Sequence, residues 1–139
     1  DMEDVTLSSY QGKKNVVLLF VPLAFTGVCT NEMCSVRDNL SSYANLDAEV
    51  LGISVDSPFS QKAWKERENL NFTLLSDFNR EVVQAYGAQY ESLGAWKGVA
   101  KRSAFVIDKQ GQVQYAEVLE NAGNLPNFDK IAETLQGLK

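Results

Sequence analysis

The clearest pattern in the chain is a pair of largely apolar, partly β-branched stretches at residues 16–21 and 50–55. Runs of this length and composition predict strands that are buried on both faces of a sheet. Between them, apolar side chains recur every three or four positions, at Cys29, Met33, Val36, Leu40 and Tyr43. This spacing predicts a helix that turns a single apolar stripe toward the sheet.

The second half of the chain carries the boundary signals of further elements. Ser57 and Pro58 predict the N-cap and the first residue of a helix that runs to about residue 69. Asp77 predicts the cap of another helix, which includes Phe78 and stops at Gly87. The other predicted elements are a short strand at 72–75, a loop at 88–101, a hairpin of strands at 103–107 and 112–119, and a final amphipathic helix at 128–138.

The order of these elements predicts the fold class. Strands and helices alternate at first, as in a parallel sheet, and the chain ends in an antiparallel hairpin and a helix. We therefore expect an α/β protein with a thioredoxin-like fold, a central mixed β-sheet flanked by helices on both faces. The 139 residues suit one such domain over residues 1–139. Ligands in such sheets bind near the carboxyl ends of the strands, where residues 22–29 lie.

Composition narrows the possible functions. The net charge is −5 without a basic stripe, so no nucleic acid partner is expected. No apolar run approaches the ~20 residues of a membrane span, no signal peptide opens the sequence, and two cysteines do not make a secreted disulfide scaffold. The cytoplasm is the expected location. Because the chain has no histidine, Cys-His and Ser-His-Asp catalysis and histidine zinc sites are excluded; neither a metal nor an organic cofactor is expected.

The candidate chemistry lies where the first predicted strand runs into Pro22 and a turn that leads to Thr26 and Cys29. A thiolate is the reactive form of cysteine, and a helix N-terminus or a nearby guanidinium favours that anion. Arg102 opens the strand predicted beside the first one and suits this role. Thr26 could hold a hydroxylated substrate, and Pro22 could shield the sulfur from water. Taken singly, the same residues also fit a buried small hydrophobe at Cys29, a solvated charge at Arg102 and an N-cap at Thr26.

The spacing Pro22-x-x-x-Thr26-x-x-Cys29, together with Arg102, resembles the active-site motif of the peroxiredoxin family. The likeness covers nearly the whole chain. Further matching segments are Glu32, Ser54-Val55-Asp56-Ser57, Ala63-Trp64, Leu74-Leu75-Ser76-Asp77 and Ala85-Tyr86-Gly87. Residues 22–27, PLAFTG, resemble the alkyl hydroperoxide reductase E subgroup, whereas the position of Cys34 resembles the peroxiredoxin Q (bacterioferritin comigratory protein) subgroup.

The resemblance implies a thiol peroxidase that reduces hydrogen peroxide and organic hydroperoxides through a sulfenic acid on Cys29. Pro22, Thr26 and Arg102 would position the peroxide, and Glu32 would orient the arginine. The electrons would come from thioredoxin, glutaredoxin or a low-molecular-weight thiol. The protein would be a monomer or a homodimer. Family members usually carry an N-terminal strand segment ahead of the region around Leu7, and only six residues precede it here, so whether that segment is missing stays open.

Cys34 lies five positions after Cys29 and matches the family's resolving cysteine. In an intact helix the two Cα atoms would be ~8.6 Å apart, and a disulfide spans at most roughly 7 Å. Resolution by Cys34 therefore requires the first turns of the helix to unwind. The alternatives are a one-cysteine peroxidase resolved by an external thiol, and a redox sensor or holdase. A thiol–disulfide oxidoreductase would need two cysteines closer together in sequence.

Overall fold

The computed structural model describes residues 5–138. Its centre is a five-stranded mixed sheet in the order β3-β2-β1-β6-β7, and a separate two-stranded hairpin pairs β4 with β5. The strands are β1 (Asn15–Phe20), β2 (Ala48–Ser54), β3 (Thr73–Ser76), β4 (Ser92–Leu93), β5 (Trp96–Lys97), β6 (Ser103–Ile107) and β7 (Val113–Val118). The helices are α1 (Gly27–Asp38), α2 (Leu40–Asn45), α3 (Pro58–Glu68), α4 (Glu81–Ala85) and α5 (Phe128–Gly137), preceded by a short 3₁₀ helix at Leu7–Tyr10.

The sheet is mixed because β1, β2 and β3 run parallel, whereas β6 runs antiparallel to β1 and to β7. Every residue of β1 and of β6 is buried, as expected of central strands covered on both faces. Alternate side chains of β1 enter two apolar clusters on opposite faces. One cluster is completed by residues of α1, α3 and α5, and the other by residues of α4 and of the segment that follows it. The expected thioredoxin-like α/β architecture is confirmed.

Three local predictions need correction. The apolar stripe from Cys29 to Tyr43 is not one helix, because α1 ends at Asp38 and α2 begins at Leu40 after a break at Asn39. The helix after Asp77 begins only at Glu81, so Phe78 lies outside it. Asp77 nevertheless stabilises that helix, because its carboxylate accepts hydrogen bonds from the N–H groups of Val82 at 3.1 Å and of Val83 at 2.7 Å.

The third correction concerns residues 88–101, which were predicted as a loop and contain the β4–β5 hairpin. Each strand of the hairpin has only two residues, too few for an alternating pattern to appear in the sequence. Gly94 lies between them with a φ of 62°, a left-handed conformation that glycine adopts without steric cost. Within residues 5–138, no helix is both long and apolar enough to cross a membrane.

Candidate active site

The site is built where β1 ends. Parallel pairing continues one residue past the strand, since the N–H of Val21 donates to the carbonyl of Ile53 at 2.9 Å. Pro22 is buried directly after it, and the chain then turns through Phe25 into α1. This order places Cys29 in the first turn of the helix, with 1% of its surface exposed.

Arg102 reaches the sulfur from the neighbouring strand. Antiparallel pairing sets Ser103, the first residue of β6, opposite Phe20, the last residue of β1, so Arg102 lies beside the beginning of the turn. Its Nη2–H donates to Cys29 Sγ at 3.2 Å, and its Nη1–H donates to Glu32 Oε1 at 2.8 Å. Arg102 is only 2% exposed. Cys29 and Arg102, which the sequence predicts to act together, are therefore in contact although they are 73 positions apart.

A backbone carbonyl, that of Ala122, also accepts hydrogen bonds from Arg102. The Nε–H and Nη2–H groups of Arg102 donate to the oxygen of Ala122 at 3.2 and 3.0 Å. The carbonyl of Arg102 in turn accepts a hydrogen bond from the N–H of Leu119 at 2.9 Å. The guanidinium is therefore fixed in direction from one side and presents its remaining donors to the sulfur and to the carboxylate. Arg102 is therefore not a solvated charge at the end of a strand, the alternative that the sequence also allowed.

Glu32 lies on α1 three residues after Cys29, on the same face of the helix, and is fully buried. Its Oε1 accepts from Arg102, whereas its Oε2 has no hydrogen-bond partner among the described residues. Burial raises the pKa of Glu32 to about 7 from an ordinary value of 4.5, and Arg102 opposes that rise. One buried cation thus faces two acidic groups, the carboxyl of Glu32 and the thiol of Cys29.

Apolar neighbours surround the sulfur, since Cys29 belongs to the core cluster that also contains Val21, Met33 and Trp64. That environment alone would suit a small buried hydrophobe. The buried guanidinium of Arg102 at hydrogen-bond distance argues against that role for Cys29, because a charge that is removed from water needs charged or polar partners. The sulfur of Cys29 therefore lies in a buried, largely apolar environment, with the guanidinium of Arg102 at hydrogen-bond distance.

Thr26 occupies the N-cap position of α1, but its side chain does not cap the helix. Its hydroxyl donates to the carbonyl of Leu23 at 2.8 Å, which leaves the hydroxyl oxygen able to accept a hydrogen bond from a substrate. Thr26 is exposed, unlike Pro22 and Cys29. The threonine therefore lies at the solvent side of the site and the sulfur lies beneath it.

Cys34 is in the same helix as Cys29, as predicted, and its side chain is partly buried. It faces the end of α3, where Cys34 Sγ and Glu68 Oε2 are 3.9 Å apart. Burial raises the pKa of the Cys34 thiol, Arg37 opposes the rise, and Glu68 and Asp38 add to it. The two cysteines are both free thiols, and the fold does not bring Cys34 into the cluster of Cys29 and Arg102.

Two contacts at the site have no signal in the residue pattern. The carbonyl of Ala122 is a backbone group, and every residue type provides one. The carboxylate of Asp56 accepts a hydrogen bond from the N–H of Ala24, inside the turn, at 2.7 Å. Asp56 follows the predicted strand 50–55 directly, at the edge of the sheet where the site lies, but its residue type does not indicate which backbone group it contacts. Among the described residues, no group of three or more Cys, Asp and Glu side chains could hold a metal ion.

Comparison with known proteins agrees with this geometry. The sequence model of the AhpC/TSA family matches residues 1–116. Alkyl hydroperoxide reductase E of Mycobacterium tuberculosis is 44% identical over 116 residues, which cover 82% of this chain and 73% of that protein. A putative peroxiredoxin of Synechocystis is 42% identical over 144 residues, with coverages of 99% and 68%.

Solved structures give the same result. The reduced 2-Cys peroxiredoxin of Plasmodium vivax superimposes with a TM-score of 0.86 at 32% identity, over 95% of this chain and 69% of that one. The peroxidoxin BcpB of Mycobacterium tuberculosis gives a TM-score of 0.82 at 33% identity, over 96% and 85% of the two chains. The protein therefore belongs to the AhpC/TSA family of peroxiredoxins and is a thiol-dependent peroxidase.

Proposed function

We propose that Cys29 is the residue that peroxide oxidises, and that Arg102, Thr26 and Pro22 form the peroxide site around it. The observation that carries the proposal is the 3.2 Å hydrogen bond from the buried guanidinium of Arg102 to Cys29 Sγ. Glu32 is the positioning residue of this site, because its ion pair at 2.8 Å holds the other arm of the arginine.

In the proposed step the Cys29 thiolate attacks the terminal oxygen of a hydroperoxide. A sulfur–oxygen bond forms and the oxygen–oxygen bond breaks, so that sulfur is oxidised to the sulfenic acid and the peroxide is reduced. The terminal hydroxyl group passes to sulfur, and the departing hydroxide or alkoxide takes a proton from solvent. Arg102 donates toward the negative charge as it moves from sulfur to the leaving oxygen, which lowers the barrier electrostatically. Hydrogen peroxide and organic hydroperoxides both satisfy this chemistry.

The test is peroxide consumption with dithiothreitol as the reductant, for the wild type, Cys29→Ser and Cys34→Ser. Cys29→Ser is expected to fall to the background rate of dithiothreitol alone. Cys34→Ser is the matched control, because it removes the other thiol from the same helix, and it is expected to keep the oxidation step. Unchanged consumption by Cys29→Ser would refute the assignment.

We further propose that Cys34 resolves the sulfenic acid by forming an intramolecular disulfide. Both cysteines lie within the intact helix α1, at a separation that a disulfide cannot span without backbone movement. The first turns of α1 must therefore unwind. Unwinding releases the Arg102–Cys29 contact, the 3.2 Å hydrogen bond from the Trp64 indole N–H to Thr30 Oγ1, and the contact of Cys34 with Glu68.

Intact mass and a free-thiol count after one equivalent of hydrogen peroxide separate the possible resolving mechanisms. Resolution by Cys34 predicts the loss of two hydrogens and both thiols in the wild type, and the gain of one oxygen in Cys34→Ser. The gain of one oxygen in both proteins would instead identify a one-cysteine peroxidase that needs an external thiol. The raised pKa of Cys34 and its contact with Glu68 are what keep that alternative open.

Thioredoxin, glutaredoxin or a low-molecular-weight thiol is the proposed source of electrons, and a reducing compartment such as the cytoplasm is the corresponding location. Comparing the three reductants under the same peroxide load identifies the physiological class. Poor turnover with all three, together with oxidation-dependent binding of unfolded clients, would favour a redox sensor or holdase.

For the oligomeric state we propose a homodimer rather than a monomer. Phe59 and Phe78 follow the carboxyl ends of β2 and β3 and are 72% and 57% exposed. Trp96, in the separate β4–β5 hairpin, is 58% exposed. Large exposed apolar side chains of this kind favour a protein contact. Sedimentation of the wild type and of Phe78→Ser distinguishes the two states, since only a dimer whose contact includes these side chains is weakened by the substitution.

A further inference from the structure

We propose that Asp56 is a positioning residue for the peroxidase reaction, because it fixes the turn that carries Pro22 and Thr26 relative to Cys29. The inference rests on the proposed role of Cys29. Asp56 lies two residues beyond the end of β2, the strand that pairs with β1, and β1 leads into the site. It touches neither the sulfur nor Arg102, so its effect on the reaction is exerted through the backbone of the turn.

The contact is a short hydrogen bond inside the turn. Asp56 Oδ2 accepts from the N–H of Ala24 at 2.7 Å, midway between Pro22 and Thr26. A second hydrogen bond of 2.8 Å, from the Thr26 hydroxyl to the carbonyl of Leu23, closes the turn on itself. The Asp56 contact is the one that ties the turn to the neighbouring strand, at a sequence distance of 32 residues.

The turn needs such a tie because it contains a strained residue. Phe25 has a φ of 65°, in the left-handed region, where the Cβ of a non-glycine residue comes too close to the following carbonyl oxygen. Such conformations persist only where the surrounding contacts determine them. Phe25 lies between Ala24, which Asp56 holds, and Thr26, which enters the proposed site. The ring of Phe25 also packs against Trp64 and lies under Arg67, but these contacts hold the side chain and not the backbone of the turn. Releasing Ala24 is therefore expected to let the backbone at Phe25 relax, and Thr26 to move with it.

Asp56 is itself held firmly in place. The buried hydroxyl of Ser54 donates to the same Oδ2 at 2.7 Å, and Ser54 Oγ accepts from the side chain of Gln61 at 2.9 Å. The hydroxyl of Ser76 donates to the backbone carbonyl of Asp56 at 2.6 Å. The carboxylate is thus aimed at the turn by groups from β2, α3 and β3, which is the arrangement expected of a preorganised site.

These contacts predict that loss of the Asp56 carboxylate affects two reactions of Cys29 differently, the reaction with peroxide and the alkylation by iodoacetamide. Reaction with a peroxide requires Thr26 and Pro22 to align the oxygen–oxygen bond with Cys29, whereas alkylation by iodoacetamide requires a thiolate and access only. Loss of the Asp56 contact should therefore slow the first reaction and leave the second unchanged or faster. A loss of fold or of the Arg102 contact would slow both.

The test measures both rate constants at Cys29, in a Cys34→Ser background, for Asp56→Ala, Asp56→Asn and Ser76→Ala. Asp56→Ala should lower the peroxide rate constant at least ~10-fold without lowering the iodoacetamide rate constant. Asp56→Asn keeps an oxygen that accepts from Ala24, and it should stay within about threefold of the parent protein. Ser76→Ala removes a hydrogen bond to Asp56 but not the contact with the turn, and serves as the control.

Ser54→Ala provides a second test should Asp56→Ala fail to fold, because it removes the hydroxyl that aims the carboxylate. It should produce the same selective loss, smaller in size. The proposal is overturned if the peroxide rate constants of Asp56→Ala and Ser54→Ala match the parent, if the two reactions slow equally, or if Asp56→Asn falls as far as Asp56→Ala. A parent protein whose Cys29 does not react with peroxide would overturn the proposed function as well, and so distinguishes the two failures.

Discussion

The buried carboxyl of Glu32 should make the folded protein less stable as the pH rises toward neutrality. Its pKa is about 7 in the folded state against an ordinary value of 4.5, so the folded protein binds a proton that the unfolded chain has released. The contribution of Glu32 to the free energy of unfolding therefore decreases between about pH 4.5 and pH 7. The difference in pKa corresponds to about 3 kcal/mol once Glu32 is fully ionised.

Glu32→Gln isolates this contribution. Glutamine has nearly the shape of a protonated glutamate, and its side-chain oxygen still accepts from Arg102 Nη1. Its NH2 group takes the place of Oε2, which has no hydrogen-bond partner in the part of the chain that the structure describes. The variant should match the wild type at about pH 5 and exceed its free energy of unfolding by up to about 3 kcal/mol at about pH 8. Urea denaturation under reducing conditions across this range measures the difference.

Glu49→Gln is the matched control, since Glu49 makes a 3.5 Å ion pair with Lys14 at the surface, where such pairs contribute little. Its pH dependence should follow that of the wild type. The reasoning is refuted if Glu32→Gln and the wild type lose stability in parallel between about pH 5 and pH 8, or if the wild type becomes the more stable of the two as the pH rises.

Three further predictions concern the groups around the two cysteines. Arg102→Lys should lower the rate constant for the reaction of Cys29 with peroxide ~10²-fold or more, because a single ammonium cannot reproduce the directed donors of the guanidinium. Stopped-flow kinetics measure this rate constant, and a value near that of the wild type would contradict the role of the arginine. Glu68→Gln should let Cys34 react with iodoacetamide faster at neutral pH, since the substitution removes a carboxylate that raises the pKa of the Cys34 thiol. The rate is measured in a Cys29→Ser background, in which Cys34 is the only cysteine of the chain. An unchanged rate would contradict this prediction. Thr30→Val removes the oxygen that accepts from the buried indole of α3 and should speed disulfide formation after oxidation; Thr30→Ser, which keeps the oxygen, should not.

The parts of the fold that the sequence predicts well are those in which a local pattern and a tertiary contact agree. Residues 16–21 are apolar without interruption because β1 is the central strand and both of its faces are covered. Ser57 caps α3 as predicted, since its hydroxyl accepts from the N–H of Ser60 at 3.2 Å. Cys29 and Arg102 could be paired in advance because one follows the first strand and the other precedes its antiparallel neighbour.

The parts that could not be predicted depend on backbone contacts or on very short elements. The break between α1 and α2 at Asn39 leaves the apolar spacing intact, because a single residue outside the helix does not shift the stripe. The contact of Arg102 with Ala122 uses a backbone carbonyl, so the residue type at position 122 does not indicate it. Phe78 fits a helical stripe by its spacing, but it lies outside α4 and is exposed. The direction in which a residue points in a turn depends on contacts made after the chain has folded.

The measurement that tests the account most directly is the site of the first oxidation. Cys34→Ser and Cys29→Ser, each of which keeps one of the two cysteines, are treated with one equivalent of hydrogen peroxide, sulfenic acid is trapped with dimedone, and the modified peptide is identified by mass spectrometry. The account predicts a single adduct, on Cys29. Its yield should be high when Arg102 is present and strongly reduced when Arg102 is replaced by lysine. An adduct elsewhere, or one on Cys29 that forms equally fast without the guanidinium, would contradict it.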